Sequence, residues 1–331
     1  MNKNIIALGF VSFFTDMASS MISTILPIYI VYHLHEGVDK LGFIVAIATF
    51  ISYGFRILFG YLSDKYQIVK PFVITGYTIS ALTKPLLAYT SSWQSIAALR
   101  GLERMGKALR SASKDTLISS YAKKNQSGKT FGFHKTMDIA GEMSGAIIAF
   151  FALWYLGKGD EVFQNIFLFT FIPGVLSIII VVFFVQDIPY TKREKKVLNI
   201  SNDTKVFPLL LLYFGFLFFM FDTSFYLLKA KESGISTEFI PLLVILLTLT
   251  QTLFSYIFGI NIDKYGAKKV LQLSFFFGIL SLASLYFSQI MAAFIFLGMF
   301  LVASLNSIRS YISQFAKKKG RFTVYFMEAR H

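Results

Sequence analysis

No cysteine occurs among the 331 residues, which excludes disulfide frameworks, thiol catalysis and Cys-ligated metal sites. Charge is scarce as well. Asp, Glu, Lys and Arg make up 15% of the chain, against about 25% in an ordinary soluble domain. Only 4 histidines are present, too few for a His-rich metal site, and no cofactor is implied. Apolar residues fill 55% of the sequence. At ~20 apolar residues per membrane crossing, that is enough for roughly nine or ten spans.

Ten apolar segments of helical length can be read, near 4–34, 41–62, 72–90, 93–113, 128–156, 163–186, 206–228, 237–262, 270–288 and 290–312. Their length fits helices, because a barrel strand needs only ~10 alternating residues. The first segment carries Asp16 in mid-span and lacks a cleavage signature, so it is not a removable leader. The expected fold is an all-α membrane protein, with the lipid bilayer as its first partner.

The net charge of +14 has a topological reading. With the N-terminus in the cytoplasm, 19 Lys and Arg flank the cytoplasmic ends of the segments and 4 the opposite ends. Such asymmetry sets orientation, and a basic cytoplasmic face is drawn to anionic lipid headgroups. A nucleic-acid partner is not needed to explain the charge. The longest polar stretch, near 188–205, divides the chain into an expected six-helix bundle over 1–187 and a partial bundle of four helices over 206–331.

A displacement of 199 residues superposes two parts of the sequence. Gly60-Tyr-Leu-Ser-Asp64-Lys65-Tyr66 falls on Gly259-Ile-Asn-Ile-Asp263-Lys264-Tyr265. The match runs back into both spans, where Thr49, Ser52, Tyr53 and Arg56 fall on Thr248, Gln251, Thr252 and Ser255. It runs forward too, from Arg110-Ser111 to Arg309-Ser310. Parallel repeats of half a chain are one architecture of secondary transporters.

These strings resemble the cytoplasmic loop motif of the major facilitator superfamily, between the second and third helices and again between the eighth and ninth. The stretches Phe13-Phe-Thr-Asp16, RGLERMGKALRSASKD at 100–115 and GKTFGFHKTMD at 128–138 are similar to bacterial members of drug-efflux-like type. The first loop copy departs from the pattern, with Gln67 in place of Gly. The resemblance implies a bundle of two parallel repeats and a gating role for Gly60, Asp64, Lys65, Gly259, Asp263 and Lys264. It also implies that Asp263 meets the start of segment five near Gly128, where a helix dipole favours an anion. Asp64 would meet an eleventh helix. The chain turns at Arg321 to RFTVYFMEARH, too short to cross a membrane, and the expectation is a truncated or frameshifted end.

Ionisable residues within a span cost at least ~2.5–3.5 kcal/mol each at its centre and normally face a cavity or a partner. Segment four carries Arg100, Glu103, Arg104, Lys107 and Arg110 within about a third of its circumference. Segment five carries His134, Asp138 and Glu142 on one face, with Gly141 and Gly145 beside them. Counted from the cytoplasmic ends, Asp138 comes level with Arg104 and Glu142 with Arg100. Two readings stand open: segments four and five neutralise each other across a close glycine contact, or the surplus of positive charge faces a cavity and attracts an anionic substrate.

Asp16, amid Ser12, Ser19, Ser20 and Ser23, is either a proton carrier or the partner of a segment-four arginine. Asp222 is the corresponding lone acid of segment seven. His134 is a proton relay or a packing residue. The expected function is secondary transport of a small solute by alternating access, coupled to protons and leaning to efflux, at the inner (plasma) membrane. No ATP-binding P-loop is present. A non-transporting remnant or assembly subunit is the alternative. An intramembrane enzyme is disfavoured, since no zinc-protease or nucleophile-elbow motif appears.

Overall fold

A computed structural model describes residues 2–66, 68–121, 127–187 and 207–315, without the side chains of 64, 127–129, 131, 207 and 312–315. The expected linker at 188–205 and the tail from 316 lie outside the described residues, as does the side chain of Asp64. Among the described residues ten helical spans follow one another, α1 to α10, and no strand occurs.

α1 runs Lys3–Ser23, breaks at 24–25 and continues as a short α-helical turn and the π-helical turn Tyr29–His33. Thr24 marks the break by turning its hydroxyl onto the Ser20 carbonyl (2.9 Å), and Pro27 follows. α2 is Val38–Tyr66, α3 is Lys70–Leu86 with a 3-10 turn to Tyr89, α4 is Trp93–Tyr121 and α5 is Ser127–Leu156. α6 is made of Asp160–Phe169 and Phe171–Phe184. α7 is made of Phe207–Phe218 and Thr223–Glu232. α8 is Thr237–Tyr265, α9 Ala267–Tyr286 and α10 Ile290–Phe315.

Eight of the ten are long and apolar enough to cross a membrane; α3 and α4 are not, α4 because of its row of charge. The outward surfaces suit lipid, with Phe183, Phe218 and Tyr256 each at least three-quarters exposed. Because the backbone of each span is hydrogen-bonded within itself, nothing polar need be offered to the hydrocarbon.

The described helices form two compact units, α1–α6 and α7–α10. In the first, α1 packs on α5 and α6, α4 packs on α2 and α3, and α3 also meets α6. Its apolar core joins Leu8 and Val11 of α1, Val73 and Tyr77 of α3, Leu117 and Ile118 of α4, and Val181 near the end of α6. In the second unit α10 packs on α8 and α9, with Phe258, Ile262, Val270, Leu271, Ala303 and Tyr311 in its core.

Three segment readings need correction. α4 extends to Tyr121, two turns past the expected end at 113. Its polar stretch stays helical because Ser111, Thr116, Ser119 and Ser120 each donate a hydroxyl hydrogen bond to a carbonyl one turn back, at 2.6–3.0 Å, which spares them from capping the helix. Segment seven is interrupted at 219–222, where Asp222 accepts the Ser224 amide hydrogen (2.8 Å) and starts the second half. Segment six changes helix at Thr170.

Candidate functional site: a charged cavity in the N-terminal unit

A cavity of about 250 Å³ lies in the first unit, lined by α1, α4 and α5 with Tyr77 of α3. Two glycine contacts shape it. A Cβ on Gly141 would sit 2.2 Å from the Phe13 carbonyl oxygen, and one on Gly145 2.2 Å from that of Met17. Only glycine permits this approach, so α5 lies backbone against backbone on α1. On the other side Gly76 and Gly106 do the same for α3 and α4, where a Cβ would come within 2.5–2.7 Å of the opposing carbonyl. The glycines of segment five therefore serve a contact with α1, not the expected one with segment four.

The expected pairing of segments four and five is not seen either. Among the described residues, no cation lining the cavity lies within 4 Å of a carboxylate lining it. The longer α4 changes the depth register as well. Lys107 stands fourteen residues before the end of α4, and Glu142 fifteen after the start of α5. Glu142 is therefore level with Lys107, and Asp138 with Arg110.

Of the residues singled out in segment four, Arg104, Lys107 and Arg110 line the cavity. Arg110 donates to the Gly76 carbonyl (3.4 Å), and its guanidinium lies 4.6 Å from the Tyr77 ring centroid, a cation–π arrangement. Arg100 and Glu103 are buried against each other as an ion pair and do not line the cavity. Asp16, Asp138 and Glu142 all line it. His134 lies behind this wall, its Nε2 3.0 Å from the Ser12 hydroxyl and its Nδ1 3.3 Å from Asp138. Lys114 also donates to Ser12 (3.2 Å).

Asp222 and Arg309 belong to the second unit, Asp222 as an exposed helix cap and Arg309 half-buried on α10. In the loop motifs Gly60 is buried, while Lys65, Asp263 and Lys264 are exposed. Lys65 rests over the Tyr61 and Tyr66 rings, and Lys264 over Tyr265. Gly266, at φ 88°, provides the sharp turn between α8 and α9.

Sequence reasoning passed over several residues of the site. Tyr77, Asp115 and Lys135 line the cavity. Lys84 is 1% exposed and donates to the Thr15 carbonyl of α1 (3.2 Å), next to Asp16. Arg56, noted in the sequence only as part of the repeat, is 2% exposed, with a hydrogen bond to Ser111 (2.9 Å). A lone lysine within an apolar run was the available signal for Lys84, since such a residue demands a partner.

A charged cavity within one of two helical units can be set beside what is known of related chains. The sequence pattern of the Major Facilitator Superfamily matches residues 8–329. The chain belongs to that superfamily. An uncharacterized MFS-type transporter of Methanocaldococcus jannaschii is 32% identical over 338 residues, spanning 98% of this chain and 83% of that protein. Among solved structures, the nucleoside transporter NupG is similar with a TM-score of 0.73 at 14% identity, over 99% of this chain and 87% of that one. A D-xylose-proton symporter gives 0.59 at 16%, over 99% and 88%. At such identities the structures establish the fold. The superfamily membership makes the chain a multi-pass membrane transport protein.

Proposed function

We propose that the chain is a secondary transporter of the inner (plasma) membrane, with its N-terminus in the cytoplasm. It moves a small polar solute by alternating access, exchanging it for protons in the outward direction. The cavity of the first unit receives the solute, with Arg104 and Lys107 facing its anionic group. Arginine's planar fork suits a carboxylate or phosphate. Asp16 carries the proton.

The observation that carries this reading is the position of Asp16. It lies in the middle of the first span, half-buried in the cavity wall, in the electrostatic field of Asp138, Lys107, Lys114 and Arg110. A carboxyl group placed between an acid and several bases changes its proton affinity when a ligand screens one of them. That is the linkage exchange transport needs: solute and proton each alter the other's affinity by the same factor. The proton-symporter neighbour supports the use of protons by this fold, and the surplus of Lys and Arg on one side supports the orientation.

Everted vesicles test the proposal. In respiring vesicles with an acid interior, addition of a transported solute should release protons, read by dequenching of an acidotropic dye. Asp16→Asn should abolish the release. Proton release that persists undiminished in Asp16→Asn would remove Asp16 from the coupling. Release seen only when solute is loaded inside would reverse the direction.

A further inference from the structure

The two walls of the cavity carry opposite charge and are held apart. Arg104 and Lys107 stand on α4, and Asp16 and Glu142 on α1 and α5. Opposite charges facing each other across a cavity within a membrane protein attract, and an isolated buried ion is costly. Elsewhere on α4 the attraction has run to completion, since Arg100 and Glu103 pair. Across the cavity it has not, because each wall is fastened to its own neighbour. Gly141 and Gly145 fix α5 to α1, and Gly76 and Gly106 fix α3 to α4.

Some of the lining charges have other contacts. Asp138 is beside His134, Lys114 is bonded to Ser12, and Arg110 lies over Tyr77. Asp115 interacts with Lys114. Lys135 is exposed, two turns from Glu142 toward the start of α5. Arg104, in the field of Glu103, and Lys107, in that of Asp16, stand on one side without an ion pair among the described residues. On the other, Glu142 lies in the field of Asp16, Lys135, Lys107 and Asp138, with none of the cations within ion-pair distance.

The geometry points to a solute that bridges the two walls: a small zwitterion, its carboxylate held by Arg104 and Lys107 and its ammonium by Glu142. A singly charged solute would satisfy one wall and leave the other as it was. The volume of about 250 Å³ falls below the ~300–1,000 Å³ of pockets for drug-sized ligands, which limits the solute to a compact molecule. This inference rests on the proposed reading of the cavity as the transport site.

The test uses the purified full chain in detergent and a ladder of ω-amino acids, from glycine through β-alanine to γ-aminobutyrate. Acetate, propionate and butyrate serve as anion-only controls, and the matching alkylammonium ions as cation-only controls. The readout is the concentration of each that raises the midpoint of thermal unfolding, since a ligand specific to the folded form stabilises it by mass action. At least one ω-amino acid should bind tenfold or more tightly than its two singly charged counterparts. Glu142→Gln should remove that advantage and keep the carboxylate binding.

Equal binding of butyrate and γ-aminobutyrate along the whole ladder would overturn the inference, as would a preference unchanged in Glu142→Gln. A ladder without any shift would overturn it too. The wild-type comparison needs no variant to fold. Proton release dependent on Asp16 would still stand if the zwitterion preference failed. Zwitterion binding without any proton release would instead count against the transport reading alone.

Discussion

The two units share one helical plan and differ in what they bury. A displacement of 199 residues carries α2 (38–66) onto α8 (237–265), and the same shift lays α4 along α10. The packing follows suit: α2 and α3 rest on α4 as α8 and α9 rest on α10. The interiors do not. Where α4 has Arg100, Glu103, Arg104 and Lys107, α10 has Met299, Val302, Ala303 and Asn306. Arg56 of α2, bonded to Ser111, gives way to Ser255 of α8, which receives the Asn306 amide at 3.3 Å. Of the lining cations on α4 as far as Arg110, only Arg110 keeps its charge, as Arg309. Close packing through small residues and apolar surface serves both units equally, so the plan itself does not require the charges. Their role in the proposed transport site is what substitution can test.

That contrast can be strained at four points. The largest effect is expected where backbones touch. Gly145→Ala puts a Cβ against the Met17 carbonyl, and overpacking of this kind should cost about 3 kcal/mol. Gly215→Ala, with nothing within 4 Å of the added carbon, should stay within about 0.5 kcal/mol as an open-site control. Thermal unfolding in detergent measures both, and equal losses would break the argument from glycine contacts.

Next comes Arg56→Ser, which gives the first unit the residue of the second. Loss of the buried bond to Ser111 should cost about 2 kcal/mol. Ser255→Ala on the other side should cost less than half of that. Lys107→Asn likewise copies the second unit. It should cut solute-dependent proton flux at least tenfold, about 1.4 kcal/mol in the barrier, and leave the unfolding temperature unchanged or higher, because it removes a buried charge. A variant that loses stability and flux together would make Lys107 structural. The smallest effect on flux is expected from Gly266→Ala: φ 88° with ψ 149° is a backbone region kept almost wholly for glycine, so stability should fall by about 1–3 kcal/mol while flux is unaffected.

Much of this was legible from residue order alone. The repeat, the helical spans and the charge row of segment four are local patterns, and each has its place in the structure. Two kinds of information were not local. The end of α4 was hidden because the apolar run stops near 113 and the polar residues beyond it carry no hydrophobic signal, whereas the hydroxyls of this stretch form hydrogen bonds inside the bundle: Ser111 with the turn before it and Ser113 with Ser63 at 2.9 Å. That error shifted the level of every acid on α5 against α4. The choice of neighbours was hidden as well. Glycines at 141 and 145 announce a close contact but not with which helix. Lys84 was missed because hydropathy averages a single lysine away, although its ammonium reaches the carbonyl of Thr15.

The apposition of α1 and α5 sets a condition on any working cycle. Phe13 and Met17 bracket Asp16 in sequence, as Gly141 and Gly145 bracket Glu142, and these are the four residues whose backbones touch. In the proposed cycle the two backbone stretches that carry these carboxyl groups would then move together as one body. Any coupling between Asp16 and Glu142 in that cycle would run through the electric field across the space between them, within a single unit.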